Sequence, residues 1–110
     1  MEIVSLSQEP NQVMDVSRDG HDYEITLMTY ANITLVSVSV DGERVTSSLP
    51  AVRGGWLIPY GYLLKDGGNF RFEGLSEDYP KYDEFGSLFH LAYYPREEFD
   101  ATRRIEEKGE

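Results

Sequence analysis

Three Asp-Gly pairs, Asp19-Gly20, Asp41-Gly42 and Asp66-Gly67, punctuate the chain. A tight hairpin turn needs positive φ at its central residues, and Asp-Gly adopts it at little cost. Each pair lies between segments of strand-like composition, so the pairs predict three hairpins. Before the first comes NQVMDVSR, anchored by Val13 and Val16. After it, HDYEITLMT alternates: Tyr23, Ile25 and Leu27 share one face, and Asp22, Glu24 and Thr26 the other. Period-two alternation marks a half-buried strand.

ITLVSVSV (residues 33–40) places Thr34, Val36, Val38 and Val40 on one face, with Ile33 and Leu35 opposite. Either both sides are covered at its start or a bulge switches the face. Asp41-Gly42 leads into ERVTSSL, and Asp66-Gly67-Gly68 into NFRFEG, where Phe70 and Phe72 align. SLFHLAYY is apolar on both faces, which predicts a central or doubly covered strand. Between the second and third turns, GGWLIPYGYLL is broken by Pro59 and glycines. It predicts a corner or short helical turn carrying Trp56, Tyr60 and Tyr62.

The expected fold is mainly β: a small antiparallel β-sandwich or barrel over residues 1–94, with a short helix in a C-terminal tail, 95–110. In the tail, Glu97, Glu98 and Asp100 precede Arg103, Arg104 and Lys108, the order a helix macrodipole favours. Phe99 and Ile105 are the large apolar anchors. Six residues apart, they lie about 120° from one another around the axis. One narrow stripe cannot bury both, so the tail is expected to be frayed until a neighbouring subunit orders it.

The chain has 110 residues, enough for one domain and one core. Its net charge is −10, from 20 acids against 10 bases. That composition lacks the cations that replace counterions on nucleic acid or bind an anionic membrane. The absence of cysteine excludes disulfides and thiolate metal sites. The N-terminus has no basic region with a signal-length apolar stretch, and no run reaches transmembrane length. The chain is therefore expected to fold in the compartment where it is made.

No nucleophile elbow accompanies the two histidines. His21 follows a turn and is expected to face solvent; His90 is expected to pack in or beside the sheet. Glu77, Asp78, Asp83 and Glu84 form an acidic loop whose spacing matches no EF-hand. The glycine pairs lack the lysine-serine of a phosphate loop. Catalytic residues, metal ligands and cofactors are accordingly not expected. Tyrosine, present eight times, is enriched where an apolar ring meets a polar rim, as at protein interfaces. Trp56, Tyr60, Tyr62, Tyr79 and Tyr82, in irregular segments, are the candidate interface residues.

Several segments occur in a telling order: EPNQ (Glu9 to Gln12), the Asp19-Gly20 hairpin with Tyr23-Glu24-Ile25-Thr26-Leu27, and YGYL before Gly67-Gly68. P-x-Y-D-x-F-G-x-x-x-H-L-x-Y follows from Pro80 to Tyr93. Over about residues 2–94 this resembles the small baseplate plug proteins of contractile-tailed bacteriophages, including the cyanophage type. The resemblance implies a β-rich, non-catalytic virion component near the tail axis, made in the host cytoplasm. It would contact hub, spike and tail-tube proteins, with no direct nucleic acid and no membrane. The charge also permits an acidic inhibitor or DNA mimic. A ligand-sized pocket converging on His90 would instead favour a small β-barrel hydrolase or ligand-binding domain.

Overall fold

The computed structural model describes residues 1–58, 64, 67–74 and 80–108. Seven strands are followed by one helix: β1 (Glu2–Val4), β2 (Gln12–Arg18), β3 (His21–Tyr30), β4 (Ile33–Val40), β5 (Glu43–Pro50), β6 (Asn69–Gly74), β7 (Phe89–Tyr94) and α1 (Arg96–Lys108). They form two antiparallel sheets, one of order β2-β3-β4-β5 and one of order β1-β7-β6. The sheets pack face to face as a sandwich, which decides against a barrel.

The four-stranded sheet is a meander of hairpins. Asp19-Gly20 (φ 52° and 82°) and Asp41-Gly42 (φ 51° and 87°) turn β2 into β3 and β4 into β5, as their composition predicts. The β3–β4 turn, Ala31-Asn32, has the same handedness, with φ 51° and 66°. No Asp-Gly pair marks it, and Ala31 holds the αL region at a steric cost.

The third predicted turn falls on Asp66, which lies outside the described residues; the glycines after it, Gly67 and Gly68, are sites of close approach. A Cβ on Gly67 would sit 2.3 Å from the Tyr23 hydroxyl, and one on Gly68 only 2.0 Å from the Tyr94 carbonyl oxygen. β6 pairs with β7, Phe70 opposite Tyr93 and Phe72 opposite Leu91. Its other edge is covered by the segment from Arg53 to Ile58, which turns at Gly54 and pairs with it through isolated bridges; residues 59–63 of the predicted corner lie outside the described residues. Gly54 N–H donates to Phe72 O (2.9 Å) and Leu57 N–H to Phe70 O (2.9 Å). The Asn69 side chain completes the pairing by bonding both backbone groups of Ile58 (3.0 and 2.9 Å). Covering a sheet edge in this way removes a template for unwanted strand pairing.

The core lies between the sheets. Tyr23, Ile25, Leu27, Val36, Val38 and Val40 come from one side; Phe70, Phe72, Phe89, Leu91 and Tyr93 come from the other. The rings of Tyr23, Phe70 and Tyr93 meet across the middle at centroid distances of 5.0 to 5.9 Å. On β4, Thr34 and all three valines point inward, Ile33 is exposed and Leu35 half-buried. Neither alternative read from its sequence holds. The irregularity lies in the β4–β5 pairing, between Val36 and Ser39, and it leaves the inward face of β4 unchanged. β7 is central in its sheet, as predicted. Its inner face meets the core, and Tyr94 on its outer face lies beneath Trp56 and α1.

The chain itself docks α1. Phe99 is 3% exposed and Ile105 71% exposed. Their angular separation is thus resolved by burying one and leaving the other in solvent. The helix needs no second subunit to bury its anchor.

Candidate functional site

Trp56 is half-buried at the junction of β6, β7 and α1. Tyr94 and Phe99 meet its ring edge-on at 5.1 and 4.6 Å, and the Arg71 guanidinium lies 4.5 Å from its centroid. Arg71 also pairs with Glu73 (2.7 Å) and, across to the helix, with Glu106 (2.9 Å). Burial acts to lower the Arg71 pKa. Its hydrogen bonds to Glu73, Tyr94 and Glu106 outweigh this and raise it, so the cation is locked in place. Burial, then the Tyr94 hydroxyl's bond to Glu73, raises the Tyr94 pKa. This cluster cements α1 onto the sandwich, and much of the Trp56 ring is committed to contacts within the chain.

Tyr82 opens a single 3-10 turn, Tyr82–Glu84, and is 37% exposed. The segment carrying it is firmly seated. Pro80 O accepts from the Thr34 hydroxyl (2.9 Å), Phe85 stacks on Phe72 in the core, and Gln8 donates to Phe85 O (3.0 Å). Tyr60, Tyr62 and Tyr79 lie outside the described residues, as do Glu77 and Asp78 of the acidic loop. Among the described residues no three His, Asp or Glu side chains converge as a metal site requires.

His21 is half-buried rather than open to solvent, because the β4–β5 turn reaches it. Its Nδ1 lies 2.6 Å from Asp41 Oδ2, while Asp41 Oδ1 accepts from the Asp22 N–H (2.9 Å). The nearby Ser17 hydroxyl donates to Asp22 Oδ1 (2.6 Å), so hydroxyl and imidazole belong to different carboxylates. His90 borders a shallow cleft of about 190 Å³ shared with Ile3, Val4, Ser5, Leu6 and Gly86. That is below the usual size of a small-molecule pocket. Its cross-strand neighbour Glu73 is held by Arg71 and Tyr94.

Tyr93 joins the sheets by polar bonds as well as packing. Its hydroxyl donates to Asp19 Oδ2 (2.6 Å) and accepts from the Gly68 N–H (3.1 Å). Burial, then the bond to Asp19, pushes its pKa well above the ordinary tyrosine value. Burial likewise raises that of Tyr23.

The sequence reading passed over the outer face of the four-stranded sheet. Met28 and Tyr30 occupy outward positions of β3 and are 52% and 74% exposed; Ile33 beside Tyr30 is 41% exposed. The signal was available, since both residues continue the Asp22-Glu24-Thr26 side of the alternation, where a solvated strand carries polar groups.

The geometry so far is that of a compact β body with seated loops and exposed aromatic and apolar groups. A family model described as cyanophage baseplate Pam3 plug gp18 matches residues 1–97, which include the whole sandwich and the start of α1. Among curated proteins, none matches the chain. The match extends over most of the chain, so the protein belongs to the cyanophage baseplate plug family, a structural family of the phage tail baseplate.

Proposed function

We propose that the chain plugs or braces the central hub and tube region of a contractile-tail baseplate through protein–protein contacts alone. It is made in the host cytoplasm and enters the particle in several copies, with hub, spike and tail-tube proteins as neighbours. It does so without catalysis, cofactor or metal. Residues 1–94 act as the body and residues 95–110 as an appended tail. Trp56, Tyr60, Tyr62, Tyr79 and Tyr82 contribute to the contacts; of the two described members, Trp56 and Tyr82, it is Tyr82 that is displayed on an anchored turn.

The observation that carries this reading is the family match over residues 1–97. The packed sandwich supports it: a plug must hold its shape, and the covered outer edge of β6, seated loops and an aromatic core supply that. Electron microscopy of purified tails is the test. Density for the sandwich on the tail axis, at the junction of hub and tube, is the expected result. Density only at the baseplate periphery, or particles lacking the chain, would refute the proposal. Alanine at the five aromatic positions together should impair incorporation, since such anchors cost about 2 kcal/mol or more when truncated.

A further inference from the structure

The outer face of the β2-β3-β4-β5 sheet is divided along its length. At the Ala31-Asn32 end, Tyr30 pairs with Ile33 and Met28 with Leu35, which in turn pairs with Pro50. These positions share one face, so their side chains form a contiguous block, flanked by Val13, which is 62% exposed. Single exposed apolar residues are ordinary, but a contiguous block on one sheet face marks a contact surface. Thr26 and Ser37 follow as a neutral row. Beyond them Asp15 pairs with Glu24, and Asp22 lies one step further; Arg44, opposite Ser39, is the cation of this end. A depression of about 380 Å³ runs among Asp15, Ser17, Asp22 and Glu24. Tyr30 and Glu24 are six residues apart on one strand, so the apolar and acidic ends are separated by about 20 Å.

We infer that this face is a second docking surface, whose occupant is a neighbouring baseplate protein bearing an apolar patch with Lys or Arg about 20 Å along it. The inference rests on the proposed baseplate role and adds a contact separate from Tyr82. Charge complementarity selects the occupant. A second copy laid over the full face would set acids against acids or against the apolar block, whereas a basic partner satisfies both ends in one orientation. Such end-to-end polarity also fixes direction, because rotating the partner by 180° in the plane of the sheet buries its cations on Met28 and Tyr30.

The test uses the phage that carries the chain. A photo-crosslinking amino acid replaces Tyr30, and cross-linked peptides from purified tails are identified by mass spectrometry. The expected product joins position 30 to another baseplate protein, at an apolar site with Lys or Arg about 20 Å from it. In parallel, Met28→Asp with Tyr30→Asp should reduce incorporation into tails by roughly tenfold or more. Asp15→Lys with Glu24→Lys should also reduce it. The purified variants should melt as the parent does, because all four positions are outward. Cross-links only to a second copy, no cross-link from a chain that is present in tails, or undiminished incorporation of both variants would overturn the inference. If the parent chain is absent from purified tails, the baseplate reading itself fails, and this separates the two failures.

Discussion

Replacing Phe99 by alanine should release α1 while leaving the sandwich folded. Phe99 is 3% exposed and meets Trp56 edge-on at 4.6 Å. Burying a phenylalanine is worth about 2–3 kcal/mol, and an edge-to-face pair adds about 0.5–1.5 kcal/mol. The other ties are weaker. The Arg71–Glu106 pair has one partner half in solvent, and pairs of this kind contribute about 0–1 kcal/mol. The contact of the Met1 ammonium with Glu98 is exposed at both ends. Arg103 lies 5.6 Å from the Phe99 ring centroid and loses that contact with it. A 13-residue helix is marginal in water by itself, so removing about 3 kcal/mol of docking energy leaves too little to hold it. Trp56 is the only tryptophan, so its emission reports this junction alone. The expected result is a red-shifted spectrum and loss of amide protection over residues 96–108, with protection in β3, β4 and β7 retained. Ile105→Ala, at a 71% exposed position, is the control and should change neither. Unchanged protection in Phe99→Ala, or an equal effect of Ile105→Ala, would refute the assignment of Phe99 as the docking anchor.

Alkali should unfold the protein through its buried phenols. The folded-state pKa values of Tyr23, Tyr93 and Tyr94 lie above the unfolded value of about 10, so the folded state keeps protons that the unfolded state gives up. Their stabilising contribution is intact below about pH 10 and declines as pH rises beyond it; phenolate absorbance of these three should therefore appear together with unfolding, measured by denaturant midpoints across that range. Gly68→Ala should destabilise by about 3 kcal/mol or prevent folding, since its Cβ would meet the Tyr94 carbonyl oxygen, a backbone atom. Thermal or urea denaturation of that variant gives the value. Converting Ala31-Asn32 to Asn-Gly should raise stability by about 1 kcal/mol, because the turn geometry is kept while the αL strain of Ala31 is relieved.

The β alternation was legible because burial demands it. Tyr23, Ile25 and Leu27 on β3, and the three valines of β4, read correctly from period two alone. Turn chemistry was partly legible. Asp19-Gly20 and Asp41-Gly42 have the composition their geometry needs, but Ala31-Asn32 adopts that geometry because the flanking strands pair in register around it. The glycines at 67 and 68 answer to a different need, room for Tyr23, Tyr93 and the Tyr94 carbonyl, which becomes visible only when the sheets are stacked. His21 gained its carboxylate neighbour from a residue 20 positions away. The commitment of Trp56 to the helix was equally hidden, since it joins residues 56, 71, 94 and 99 from four segments. Composition could nominate Trp56 as an anchor but could not say which surface it anchors.

The pairing of β1 with β7 has a mechanical consequence. The strands are antiparallel with Glu2 opposite Tyr93, so residue 1 and the helix that follows β7 leave the ladder at the same end. Tension applied between residue 1 and the end of α1 therefore does not shear all rungs together. It first peels α1 from Trp56, then opens Glu2 from Tyr93, Ile3 from Ala92 and Val4 from Leu91, one after another. The hydrogen bonds of an antiparallel pair run across the strands, so each rung bears the load alone when its turn comes. In this direction β1 strips from the edge of its sheet like a zipper, while compression across the two sheets meets a close-packed aromatic core that yields little. A body of this build resists being crushed yet can be drawn apart from its ends.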